Sequence, residues 1–165
     1  MSKVTIRYQE VSDAERFYEI LSNPNFVYFT VKPKSVEDEE KWLKDNPKRR
    51  EDNSEWNYTV LYDDQIVGTV GIKINMHRKY IGEIGYFLDE NFWGKGITTE
   101  AVRLAEKEGF EKIGLTRIEI LMQPENKASE KVAVKCGYIK EGLLKKALEG
   151  TDGNKKDVLI YAKVL

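Results

Sequence analysis

The sequence predicts a mixed α/β domain folded around one twisted, mostly antiparallel sheet. Three observations carry that expectation. Short runs with alternating apolar residues recur along the whole 165-residue chain. Turn residues join several of these runs as hairpins early and late in the chain, and strand-helix-strand successions of the kind that cross over a sheet lie between them. The predicted order is β, α, α, three β, α, β, α, β, β with no internal linker, so residues 1–165 read as a single domain of about seven strands and four helices.

Val4, Ile6 and Tyr8 alternate with polar residues and give the first strand. Ser12 is placed to cap a helix carrying Phe17, Ile20 and Leu21 on one side, which ends at Asn23-Pro24-Asn25. An aromatic linker over residues 22–34 follows. Ser35-Val36-Glu37-Asp38 then starts a second helix by capping-box logic, reaching about Asp45. Strands from Trp56 to Tyr62, from Ile66 to Ile74 and from about Tyr80 to Leu88, with a turn at Asp63-Asp64, make an antiparallel meander. Ile97, Ala101, Leu104 and Ala105 recur at helical spacing up to a stop at Gly114, and a strand runs from Arg117 to Met122. A shorter helix from Asn126 to Cys136 stops at Gly137, and the tail from Tyr138 to Leu165 forms two strands joined at Thr151-Asp152-Gly153-Asn154.

Composition narrows the function class. Lys and Arg number 27 against 28 Asp and Glu, so no global basic excess favours nucleic acid, and neighbouring acids dilute Lys48-Arg49-Arg50 and Lys145-Lys146. No window approaches the roughly 20 apolar residues of a membrane span, and none is expected. The single Cys136 cannot form an intrachain disulfide and the start lacks the apolar core of a signal peptide, which together suit a reducing cytoplasm. His77 is the only histidine and has no ligand-spaced partner, so neither a metal site nor a Cys/His nucleophile pair is expected.

The stretch from Gly82 to Ala101 reads as a strand, a glycine-bearing turn and the first turn of a helix. Such a turn brings bare backbone N–H groups to an anion, and the helix start adds unpaired donors and partial positive charge. A pyrophosphate suits it. A P-loop would need a glycine where Asp89 stands and a Ser or Thr where Gly96 stands; a dinucleotide fingerprint would need a third glycine at Thr99. Trp93-Gly94-Lys95-Gly96-Ile97-Thr98 instead resembles the acyl-CoA pyrophosphate loop of the GNAT (GCN5-related) N-acetyltransferases, with Trp93 in place of Gln/Arg and Thr98 in place of Gly/Ala. Phe92-Trp-Gly-Lys-Gly followed by Thr99-Glu-Ala is similar to the RimJ/RimL-like branch, and Asn126-Lys-Ala-Ser129 with Cys136-Gly137-Tyr138 is similar to the family's fourth-helix segment.

The resemblance implies the GNAT fold, with the sheet splayed in its middle, and acetyl-CoA as co-substrate without a metal. It assigns the pyrophosphate to the backbone of Trp93, Gly94, Lys95, Gly96, Ile97, Thr98 and Thr99, with the Lys95 ammonium as an added charge. Tyr86, Phe87 and Leu88 would offer backbone groups to the pantetheine and the acetyl carbonyl, and Asn126 would hydrogen-bond the pantetheine arm. Asn126, Ser129 and Ala133 share one helix face by spacing. Many relatives carry at the Ala133 position a tyrosine that protonates the thiolate, which leaves Ser129 as the nearest donor or as a residue that merely stabilises the first helical turn. Glu83 is either the base that takes the amine proton through water or a strand carboxylate paired with Arg117 or Lys73.

The acceptor would enter between residues 26–31 and 149–155, where Tyr28, Phe29 and Trp56 are candidates to line its pocket or to belong to the core. A protein or peptide N-terminal α-amine, or a small primary amine, ranks ahead of a polyamine. Glu37-Asp38-Glu39-Glu40 tempts a polyamine reading but also complements a helix start. A CoA-binding module without catalysis is the rival from another class. Whether two copies pair through the last strands as a homodimer stays open.

Overall fold

The computed structural model describes residues 3–29 and 31–165; Met1, Ser2 and Thr30, the last inside the aromatic linker, lie outside them. The strands are β1 (Val4–Tyr8), β2 (Glu55–Tyr62), β3 (Gln65–Ile74), β4 (Ile81–Leu88), β5 (Arg117–Met122), β6 (Ile139–Glu149) and β7 (Lys155–Val164). They form one sheet in the order β1-β2-β3-β4-β5-β7-β6. Among the described residues only the central pair, β4 with β5, is parallel. Its register joins Ile81, Gly82 and Glu83 to Arg117, Ile118 and Glu119, after which the two strands diverge.

Four helices match the expected ones: α1 (Ala14–Leu21), α2 (Val36–Lys44), α4 (Ile97–Lys107) and α5 (Lys127–Lys135). A short α3 (Asn46–Glu51), which the sequence did not suggest, follows α2 after the single residue Asp45. Its run has no apolar period, and tertiary bonds hold it: the buried Asn46 amide donates to Gln9 at 2.8 Å and its oxygen accepts from Asn57 at 3.1 Å.

Strand alternation sorts the side chains into two layers. Ile97, Ala101, Val102 and Ala105 of α4 pack on Val70, Ile72, Ile84, Ile118 and Ile120, and Ala133 and Cys136 join them from the end of α5. On the opposite face Phe17, Ile20 and Leu21 of α1 and Leu43 of α2 enclose Phe26 and Phe87. Ser35 caps α2 as expected, its hydroxyl accepting from the Asp38 amide at 3.1 Å.

Ser12, by contrast, does not cap α1. A 3₁₀ turn over Val11–Asp13 precedes that helix, and the Ser12 hydroxyl donates to the Glu10 carboxylate at 3.4 Å. The buried neighbour Asp13 governs the geometry here. Its carboxylate accepts from Arg7 at 2.7 and 2.8 Å, from Thr59 at 2.6 Å and from the Glu10 amide at 2.9 Å. Burial alone would raise the Asp13 pKa, but the bonds from Arg7, the Glu10 amide and Thr59 outweigh it and hold the group below the ordinary carboxylate range.

Asp13→Asn should therefore cost about 2–3 kcal/mol in urea unfolding at pH 7, less than splitting a fully buried pair because Arg7 is partly solvated. Because the folded-state pKa is depressed, this stabilisation is complete above the ordinary carboxylate range and fades as pH falls through the folded-state value. The wild-type and variant curves should converge in acid; a constant gap down to low pH would contradict the assignment.

Candidate active site

Where β4 and β5 part, the sheet opens toward both of its faces. One cleft of about 610 Å³ runs past the start of α4 and along α5. A smaller cavity of about 270 Å³ lies under the β6–β7 hairpin. Tyr28, Phe29 and Leu121 line both, so the two cavities meet at the gap.

The glycine turn forms one end of the larger cleft. Gly94 and Gly96 adopt φ of 77° and 76°, a region L side chains rarely enter, and a Cβ added to either would meet nothing within 4 Å. Conformation, not crowding, thus requires glycine here, and the space above the turn is open. Gly96 holds the N-cap position of α4 and has no side chain to accept from the first-turn amides. Gly94, Gly96, Ile97, Thr98 and Thr99 all line the cleft, so these residues fit a pyrophosphate. Lys95 does not line it; its ammonium lies 5.1 Å over the Phe92 ring instead. The Trp93 indole N–H donates to the Leu88 carbonyl at 2.8 Å, tying the turn to β4.

The linker after α1 is fastened over this turn. Asn23 and Asn25 donate to Glu90 at 2.6 and 2.9 Å, and the Phe26 ring meets Trp93 edge-on at 5.9 Å. Arg16 pairs with Asp89 just after β4. Tyr28 and Phe29 are thereby brought to the junction of the two cavities. Trp56 is not: it packs on the α4 side of the sheet against Tyr8, with its indole N–H on Asn53 at 2.8 Å. The reason is register, which sets Trp56 opposite Ile72 in the helix-covered core.

Along α5 the cleft meets Ala128, Lys131, Val132 and Lys135, with Asn126 and Ser129 at its start. The expected common face of Asn126, Ser129 and Ala133 is therefore rotated: Ala133 has no exposed surface and belongs to the core. The period i, i+3, i+4, i+7 through Ala128, Lys131, Val132 and Lys135 was the readable signal for this face, and it puts two lysines along the cleft. Asn126 caps the helix, its oxygen accepting from the Ser129 amide at 3.2 Å. That leaves its side-chain NH₂ as the group suited to a ligand carbonyl.

The contact that sequence reading missed is a hydroxyl pair. Tyr86 from β4 and Ser129 from α5 place Oη and Oγ 2.6 Å apart. Burial pushes the Tyr86 phenol up to about 12 despite the Ser129 bond that pulls it back, so it stays protonated near neutral pH. Two hydroxyls share one bond, so whichever donates, the other's proton is left to point elsewhere.

Glu83 lies on the other face of β4 and lines the smaller cavity. Among the described residues it has no ion-pair partner within 4 Å, since Arg117 binds Glu119 at 2.7 Å and Glu141 at 2.5 Å. It is solvent-accessible yet set in a concavity, and the resulting loss of hydration raises its pKa; Lys73 across β3 opposes that rise and Glu119 across β5 adds to it. Cys136 is buried, donates to the Thr99 carbonyl at 3.5 Å, and has its thiol pKa raised by burial, which suits packing and not nucleophilic attack. No three His, Cys, Asp or Glu side chains gather as for a metal ion among the described residues, and no helix there is long and apolar enough to cross a membrane.

Comparison with known proteins shows the family and the fold. The acetyltransferase (GNAT) domain family matches residues 3–139. The probable N-acetyltransferase YjcK of Bacillus subtilis (strain 168) is 34% identical over 87% of this chain and 84% of its own. Among solved structures, the ribosomal-protein-S5-alanine acetyltransferase from Vibrio fischeri is 25% identical and covers 99% of this chain and 96% of its own, with a TM-score of 0.87. The microcin C7 self-immunity acetyltransferase MccE, solved with acetyl-CoA and AMP, is 26% identical and covers 99% of this chain and 93% of its own, with a TM-score of 0.86.

Proposed function

The chain belongs to the GNAT family and is an N-acetyltransferase, and from that premise we propose that it moves an acetyl group from acetyl-CoA to the α-amine of a protein or peptide, by direct attack in a ternary complex. The observation that carries this reading is the meeting of two cavities at the β4–β5 gap, with a carboxylate on one side and a hydroxyl pair on the other. Acetyl-CoA supplies the activated acyl carbon. The Gly94–Gly96 turn and the α4 start hold its pyrophosphate, and Lys131 and Lys135 add positive charge beside it.

An amine arrives protonated, so a group must remove a proton before it can attack. Glu83 faces the smaller cavity with a raised pKa and, among the described residues, no ion-pair partner, which suits it to accept that proton directly or through water. One N–C bond then forms and one C–S bond breaks; of the two protons the nitrogen loses, Glu83 takes the first, and the second passes from the nitrogen of the tetrahedral intermediate through water to the departing sulfur, which the hydroxyl pair steadies by a hydrogen bond without giving up a proton of its own. Tyr86 and Ser129 present a hydroxyl proton to the departing sulfur from the opposite face of β4. Base and donor thus act through the plane of the sheet. The buried Cys136 offers no covalent route, which favours direct transfer. The lone, unpaired Cys136 suits a reducing cytoplasm, and 27 basic against 28 acidic residues leave no global basic excess to draw nucleic acid.

The test is release of CoA thiol from acetyl-CoA in a peptide mixture with free α-amines, against the same mixture with those amines formylated. Thiol release should need free amines, and initial-rate lines should intersect as for a ternary complex. Gly96→Val, forced to φ near 76°, should raise KM for acetyl-CoA about tenfold or more. Acetyl-CoA binding without thiol release would instead mark a non-catalytic module, and release with spermidine alone would mark a polyamine enzyme.

A further inference from the structure

The smaller cavity carries a statement about the acceptor itself, one that rests on the proposed activity. Its walls are Phe29, Leu121, Leu144, Leu148 and Val158, and among the described residues Glu83 is the only charged one that lines it. Val158 is fully buried, while Tyr28, Val31 and Leu144 expose 39%, 74% and 42% of their surface at the same cavity. The apolar lining therefore continues outward onto the surface. At about 270 Å³ the cavity equals roughly nine water molecules at about 30 Å³ each, enough for one amino group and one side chain of moderate size.

We infer that this cavity selects an α-amine whose own residue bears an apolar side chain of leucine or methionine size, and that it disfavours polyamines. A single ammonium finds one carboxylate, Glu83, while the adjoining side chain lies against leucine, valine and phenylalanine. A second ammonium on the same ligand would have to sit among apolar groups with no partner, and a serine or aspartate side chain would lose water without regaining hydrogen bonds. The acidic run Glu37-Asp38-Glu39-Glu40 does not line the cavity and so offers a polycation nothing there.

The measurement is kcat/KM by thiol release for peptides that differ only in the first residue, Leu, Met, Ser or Asp, together with spermidine. The Leu and Met peptides should exceed the Ser peptide by about 10- to 100-fold and the Asp peptide and spermidine by more. Equal rates for Leu and Ser peptides, or a preference for spermidine, would overturn the inference while leaving acetyl transfer intact. No turnover of any amine would overturn the activity, and the inference with it. Leu144→Asp changes a half-exposed wall residue, so the fold should survive, as an unchanged Tm would verify; the Leu-to-Ser ratio should then shrink at least fivefold or so. A ratio that does not move in a folded variant would remove this wall from the specificity.

Discussion

Tyr86→Phe should lower kcat about 100-fold while KM for acetyl-CoA stays within about twofold. The substitution keeps the ring against the core and removes only the oxygen that sits 2.6 Å from Ser129 Oγ. A phenol whose pKa is about 12 will not give its proton outright to a thiol group of ordinary acidity, about 8.5. Its effect is to polarise the pair and fix which proton points at sulfur, and such a donor acts on developing charge and not on ground-state binding. Ser129→Ala should show the same split between kcat and KM. Because the two hydroxyls form one unit, the double variant should be little worse than either single one. Multiplicative losses would show that they act separately, and an unchanged chemical step in single-turnover measurements would remove the pair from the mechanism.

Glu83→Gln is the second large effect, expected to reduce kcat/KM about 100-fold near neutral pH and to abolish the acidic limb of the pH-rate profile. In the wild type that limb should lie above the ordinary carboxylate range, because loss of hydration raises the Glu83 pKa, with Glu119 adding to the rise and Lys73 opposing it. The sign follows from the role: a base works when deprotonated, so activity falls as pH drops through the raised value. Stability runs the other way. A carboxylate whose folded-state pKa is raised destabilises the fold as pH increases through that value, so the glutamine variant should unfold no earlier than the wild type. A variant that retains the acidic limb, or that loses activity in step with Tm, would rule Glu83 out as the base.

Much of this site was readable because it depends on local sequence. The two turn glycines and the start of the helix they open lie within a few positions of one another, so their backbone chemistry is set locally. The seven strands were likewise readable from alternation, and Asp63 and Asp64 make the expected turn at φ of 48° and 65°. What escaped notice depends on contacts distant in sequence. Tyr86 and Ser129 are 43 residues apart and meet only because α5 packs across the β4–β5 gap. Trp56 can belong to the pocket or to the core as far as local sequence goes, and the register opposite Ile72 decides for the core. Ser12 lost its capping place to Asp13, whose partner Thr59 lies 46 positions away. The α5 face was read one position out of phase because Ala133, the residue used to orient it, is core.

The divergence of β4 from β5 gives this sheet four edges where an ordinary open sheet has two. β1 and β6 face outward, while the other two edges lie inside the molecule, between the fastened linker on one side and α5 on the other. An unpaired edge invites any extended chain that can present donors and acceptors along its length. Enclosing two of them turns that hazard into selection by shape: a globular surface cannot reach them, but a thin linear molecule carrying amide groups can run between them as though it were an eighth strand.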